Sequence, residues 1–270
     1  MKKILSFLFI VLILGCEKVI DLDLEFSKTG YVIDGKINKH VNSVDGFCEV
    51  NISKSRAYFS DNIDYVNDAI VKIIEEENNK EYILDFIKNG QYKTSIPNIS
   101  ETSEYELIVL HEYNEFSSFE KLTKSSLIDS VVQGERNSLS GDEVEIITTF
   151  TDLNQIDNYF LFEFGDKGNL QPARDLYING NSFSFSYFME KTEIPETNKL
   201  RVKMEGIDYN YFKYMLQIVV QTNTQNGPFS TPPAPIKGNI INVHDNNSTV
   251  FGYFKVCEFD EFILEDIIID

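Results

Sequence analysis

What most constrains this chain is a rhythm of short β-type runs, cut at close intervals by turn residues. Tyr31–Asn38, Phe47–Ser55, Ala69–Glu76, Lys80–Ile87, Gln91–Ser95 and Ser103–His111 are rich in β-branched and aromatic residues, which fit a pleated, half-buried surface better than a helix. Asp45-Gly46, Asn78-Asn79, Asn89-Gly90 and Pro97-Asn98 punctuate them. Asn89-Gly90, between Phe86-Ile87 and Tyr92, predicts a tight hairpin, because the favoured two-residue turn needs positive φ at both central positions. Phenylalanine and tyrosine supply 13% of the residues and tryptophan none, a balance that favours sheet. Many short strands at regular spacing predict a sandwich.

The expected fold is therefore mainly β, in two sandwich-like modules. The order Asp68–Ile73, Gly90–Tyr92, Glu104–Leu107 resembles transthyretin-like or immunoglobulin-like modules of secreted proteins, so the first module is set at 30–127, with Phe119–Leu127 closing it. The second, 128–257, takes strands at Ile128–Gln133, Val144–Phe150, Tyr159–Phe164, Tyr177–Asn179, Phe183–Phe188 and Leu200–Glu205. Tyr159–Phe164 carries too many aromatics to be half solvated and is expected to be central. One helix, about 209–221, stands out: Asp208 can cap it, and Tyr211, Met215, Ile218 and Thr222 share a face. Asn226-Gly227-Pro228 stops it. Pro228, Pro232, Pro233 and Pro235 then stiffen an extended stretch. Phe229, its one large apolar residue, either packs beneath the helix or docks with Pro232 and Pro233 on a partner. Residues 258–270 read as an acidic, apolar tail.

The amino terminus fixes location. Lys2 and Lys3 precede an apolar run, Ile4–Leu14, too short to span a bilayer. The ending Ile13-Leu14-Gly15-Cys16 resembles a bacterial lipobox. Residues 1–15 are read as a lipoprotein signal, Cys16 as the lipid-anchored residue bearing diacylglycerol and palmitate-type chains, and 16–29 as anchor and tether or an edge strand. Loss of Lys2 and Lys3 takes the formal charge from −19 to −21. Such a surface repels phosphate backbones, which argues against nucleic acid, and it repels anionic headgroups, which leaves membrane attachment to the lipid. Cys48 and Cys257 lie in apolar strand-like runs and read as small buried hydrophobes more readily than as a disulfide.

Cys16-Glu17-Lys18-Val19-Ile20-Asp21-Leu22, the tyrosine-bearing helix, Phe229-Ser230-Thr231-Pro232-Pro233, Gly238-Asn239-Ile240 and Gly252-Tyr253-Phe254 together resemble domain-of-unknown-function family 4249, Bacteroidetes outer-membrane lipoproteins. The resemblance covers nearly the whole mature chain, apart from the acidic tail after Phe254. It implies an accessory role beside a TonB-dependent transporter and supplies no catalytic residues.

No chemistry-bearing motif competes with that expectation. His40, His111 and His244 are not paired at helical spacing, no cysteine has metal-ligand spacing, and no nucleophile elbow or phosphate loop occurs. No metal or cofactor is expected. Asp166–Asn169 and Asp245–Asn247 lack full calcium-loop spacing and read as turns. Asp129-Ser130-Val131 resembles an O-glycosylation tripeptide, which would place a sugar on Ser130. The expected function is a non-enzymatic binding or assembly lipoprotein of the outer membrane. The alternative is a glycan-processing or other hydrolase built from scattered carboxylates.

Overall fold

A computed structural model describes residues 30–56, 62–136, 141–153, 158–166, 168–175, 180–223, 235–245 and 247–269. Among them the chain forms eighteen strands and one α-helix. In order these are β1 Tyr31–His40, β2 Gly46–Lys54, β3 Asp64–Tyr65, β4 Ile70–Glu75, β5 Lys80–Ile83, β6 Asp85–Lys88, β7 Gln91–Ile96, β8 Glu104–His111 and β9 Asn114–Lys121. They continue with β10 Ile128–Gln133, β11 Glu143–Thr151, β12 Tyr159–Phe164, β13 Asn169–Arg174, β14 Ser182–Glu190, β15 Leu200–Ile207, α1 Tyr209–Asn223, β16 Ile241–Asn242, β17 Val250–Phe251 and β18 Phe254–Leu264.

The architecture is mainly β and sandwich-like. One ten-stranded sheet has the order β13-β12-β15-β18-β1-β2-β7-β6, with β17 and β3 beside β1 and β2. Two smaller sheets cover one of its faces. The five-stranded sheet β16-β9-β8-β4-β5 packs on β1, β2 and β7 through Ile33, Ile37, Val50, Ile52, Tyr92 and Tyr105. The three-stranded sheet β10-β11-β14 packs on β12 and β15 through Phe150, Phe160, Phe162, Phe164 and Met204. Strand alternation sets this division. On β12, Phe160, Phe162 and Phe164 enter the second core, while Leu161 points to the other face, against α1.

β18 joins the halves. It pairs antiparallel with β15 and parallel with β1, so a single strand sits between the two sandwiches. Ile240, Val250, Phe254 and Val256, from the stretch assigned by sequence to the second module, pack in the first core. The expected tail from 258 is strand as far as Leu264, and Ile267 is buried in the second core. The link between modules lies on this strand. Thr123 bridges Cys257, Glu258 accepts the Ser125 N–H at 3.2 Å, and Asp260 accepts the Ile128 N–H at 2.7 Å.

Several local expectations recur in the fold. Asn89 and Gly90 both take positive φ and close the β6–β7 hairpin. β12 lies between β13 and β15. Asp166 and Gly168 lie in the β12–β13 connection, with Asp166 bonded to Arg201 at 2.7 Å, and Asp245 accepts the Asn247 N–H; Lys167 and Asn246 lie outside the described residues. Other elements escaped the sequence reading: the short β3 and β16 were not foreseen, and the run Lys80–Ile87 divides at Leu84 into β5 and β6, which belong to different sheets. β9 begins at Asn114, five residues earlier than expected, because its hairpin turns on Glu112-Tyr113, which is no usual turn pair. β13 contains Pro172, and it accommodates a proline because it is the edge of the sheet. The expected strand Tyr177–Asn179 lies outside the described residues.

Candidate functional site

Residues expected to act are unevenly placed. Cys16, Phe229, Pro232 and Pro233 lie outside the described residues. Ser130 is half-buried on β10, beyond a register shift, and its neighbour Asp129 accepts a bond from Thr151. His111 lies between Tyr31 and Asp68, His40 faces Asp260, and His244 faces Glu115; no three metal-ligating side chains group together among the described residues. Cys48 and Cys257 are buried and free. They oppose Ile37 and Asn38, successive residues of β1, and so point to opposite faces of the sheet. Burial pushes the Cys257 thiol up to about 12, far from a reactive thiolate. Of the carboxylates, Asp152 is buried and raised by that burial, with Asp175 adding to the shift. Its oxygens take Asn158 Nδ2 at 3.1 Å and the Gly180 N–H at 3.3 Å, which ties loops together.

What the structure does assemble is a surface around α1, flanking the proline-rich stretch. Asp208 caps the helix, its Oδ1 accepting from the backbone N–H of Asn210 and Tyr211 at 2.5 and 2.9 Å. Tyr211 and Met215, one turn apart, are buried against Leu161, Ile207 and Tyr253. Three tyrosines interlock there: Tyr211 meets Tyr253 edge-on at 4.9 Å, and Tyr214 lies 5.1 Å from Tyr253. Beneath them, Lys255 sits over the Tyr211 ring and pairs with Glu205, which Lys203 also holds at 2.5 Å. Burial alone would raise Glu205, but the two lysines hold it down to about 2. Burial pushes the Tyr214 phenol up to about 12. This half of the helix is locked.

The following turns are more open, although Ile218 still packs against the same cluster. Leu216 and Val220 are 43% and 52% exposed. Neighbouring Ile218 and Val219 are only partly covered. After the proline-rich stretch, Pro235–Lys237 and Ile240–Asn242 line a cavity of about 500 Å³ with Asn247–Phe251.

The Gly238-Asn239-Ile240 and Gly252-Tyr253-Phe254 segments have a physical account. A Cβ on Gly238 would stand 1.5 Å from the Gly252 carbonyl oxygen, and one on Gly252, where φ is +97°, would stand 1.9 Å from that of Ile33. Three backbones therefore stack where only glycine fits. Asn239 lies between them. Its Nδ2 donates to the Phe254 carbonyl and to Glu120 Oε1, each at 2.7 Å, and its Oδ1 accepts the Phe254 N–H at 2.8 Å. The side chain stands in for a neighbouring strand and fixes the start of β18.

A family model described as "Domain of unknown function (DUF4249)" matches residues 17–262. The chain belongs to this family. The matched span reaches into β18, so the acidic residues after Phe254 lie within it as far as 262, contrary to the expectation that they extend past the family's end. No curated protein matches the chain. Among solved structures, the chain resembles one of a 1.5-MDa bacterial ice-binding adhesin, at 10% identity with a TM-score of 0.25, covering 88% of this chain and 64% of the other. It also resembles the chicken interferon gamma receptor alpha chain, at 10% identity with a TM-score of 0.18, covering 68% and 90%. Likenesses this remote bear on neither fold nor function.

Proposed function

We propose that this DUF4249 protein is a non-enzymatic binding or assembly lipoprotein, held at the outer membrane by acylated Cys16 and working beside a TonB-dependent transporter. The observation that carries the binding reading is α1. Its first turns are fixed by Asp208, Tyr211 and Met215, while Leu216 and Val220 face solvent. A helix held on one side and exposing apolar side chains such as Leu216 on the other is suited to docking on a partner groove. The transporter and the membrane side of the reading come from the family likeness and the lipobox.

The test is co-purification of the tagged protein in mild detergent, wild type against Leu216→Glu/Val220→Glu. The wild type is expected to bring down a large β-barrel protein, and the double variant to lose it while melting at the wild-type temperature. Undiminished recovery with the double variant would refute docking through α1, and repeated recovery without any barrel would refute the transporter.

A further inference from the structure

One recess lies beside the buried half of α1, close enough for Asp34 on its floor to act on the Tyr211 and Tyr214 phenols. It lies on the open face of the ten-stranded sheet, has a volume of about 360 Å³, and is walled by Tyr65 and by Lys88-Asn89. Asp34, Asn51 and Gln91 stand in register across β1, β2 and β7 on its floor. Asn51 Nδ2 and Gln91 Nε2 both donate to Glu49 Oε1, at 3.2 and 3.0 Å. Glu49 lies outside the recess, so both amides present their oxygens away from it. Neither oxygen, and neither oxygen of Asp34, has a hydrogen-bond partner among the described residues. Asp34 is open to solvent, yet Lys255, Lys36, Glu49 and Glu205 and the α1 tyrosines Tyr211 and Tyr214 lie close around it, and desolvation with the two glutamates raises its carboxyl despite the two lysines. Those lysines are engaged elsewhere, with Glu205 and Glu49.

We propose that this recess binds the guanidinium of an arginine side chain on a partner peptide. A carboxylate takes two parallel N–H bonds from guanidinium, and neighbouring amide oxygens can accept the remaining ones. Tyr65, 39% exposed, offers a ring face for the cation. A crowded carboxylate gains more from such a partner than a solvated one. The strong negative charge of the chain, −19, favours a cationic partner over an anionic one. Lys88 is the opposing feature, a positive charge on the rim, and is used below. The site does not depend on docking through α1.

The test titrates the full chain in mild detergent, by calorimetry or NMR, with three short peptides that differ only in a central arginine, lysine or citrulline. Saturable binding is expected, with arginine ahead of lysine and citrulline not retained. Asp34→Asn is expected to weaken the arginine peptide about tenfold, the loss of one charge-assisted contact, and Lys88→Ala to tighten it. Affinity is expected to rise with pH as Asp34 ionises. If Asp34→Asn does not fold, Gln91→Leu reads the same loss. Unchanged affinity in the variant that folds overturns the site, and equal binding of the lysine peptide overturns the assignment to guanidinium.

Discussion

Replacing Lys39 by methionine tests whether β18 holds the halves together as described. Lys39 and Glu258 face each other across the parallel β1–β18 pair, with Nζ 2.7 Å from Oε1 and both side chains 8% exposed. The other Glu258 oxygen accepts the Ser125 N–H of the inter-module link. Methionine keeps the length and apolar stem of lysine and removes only the charge. Glu258 is then a buried carboxylate with one backbone donor, and breaking a buried pair from one side costs about 3–5 kcal/mol. For a chain of this size each kcal/mol moves the melting temperature by about 2–4 °C, so Lys39→Met is expected to melt roughly 10 °C lower by calorimetry or circular dichroism. The double variant Lys39→Met/Glu258→Gln removes both charges, and its amide oxygen can still accept from Ser125, so most of the loss is expected to return. A single variant within about 2 °C of wild type, or a double variant no more stable than the single, would refute the argument that this pair is a desolvated, mutually dependent contact.

Cys16→Ser is expected to abolish acylation, because a hydroxyl does not replace the thiolate nucleophile; mass spectrometry showing a normal acyl mass would sink the lipobox reading. Glu120 gives a pH prediction. Burial and the nearby Asp208 push its carboxyl up to about 7, against the bond from Asn239. The folded chain therefore holds this proton more tightly than the unfolded chain, where it titrates near 4.5, so its contribution to stability falls as pH rises from about 4.5 to about 7. Glu120 is partly exposed, so screening reduces the effect to about 1–2 kcal/mol. Glu120→Gln keeps an oxygen for Asn239 and is expected to remove that part of the slope; identical slopes for variant and wild type would contradict it.

The sequence made local order legible and left long-range order hidden, for physical reasons visible in particular residues. Strands and the helix announce themselves through side-chain period and turn chemistry, which act over a few residues. Asn89-Gly90 and the Asp208 cap are of this kind. The pairing of β1 with β18 is not, since its partners lie about two hundred residues apart in sequence and nothing in either strand encodes the other's register. That is why the acidic stretch after Lys255 read as a tail. Its alternation carried two messages. Phe254, Val256 and Phe262 supply core, while Glu258 and Asp260, on the same face, fall at the seam between two cores and meet the backbone N–H groups of the crossing link. An acid at a core-facing position signals a buried partner only when the partner is known. The open face shows the same limit. Asp34, Glu49, Asn51 and Gln91 are polar residues of three separate strands, and sequence says nothing of their meeting. Glu49, Asn51 and Gln91 share a bond network, whereas Asp34 stands in register beside them outside it, and that difference exists only once β1, β2 and β7 lie side by side.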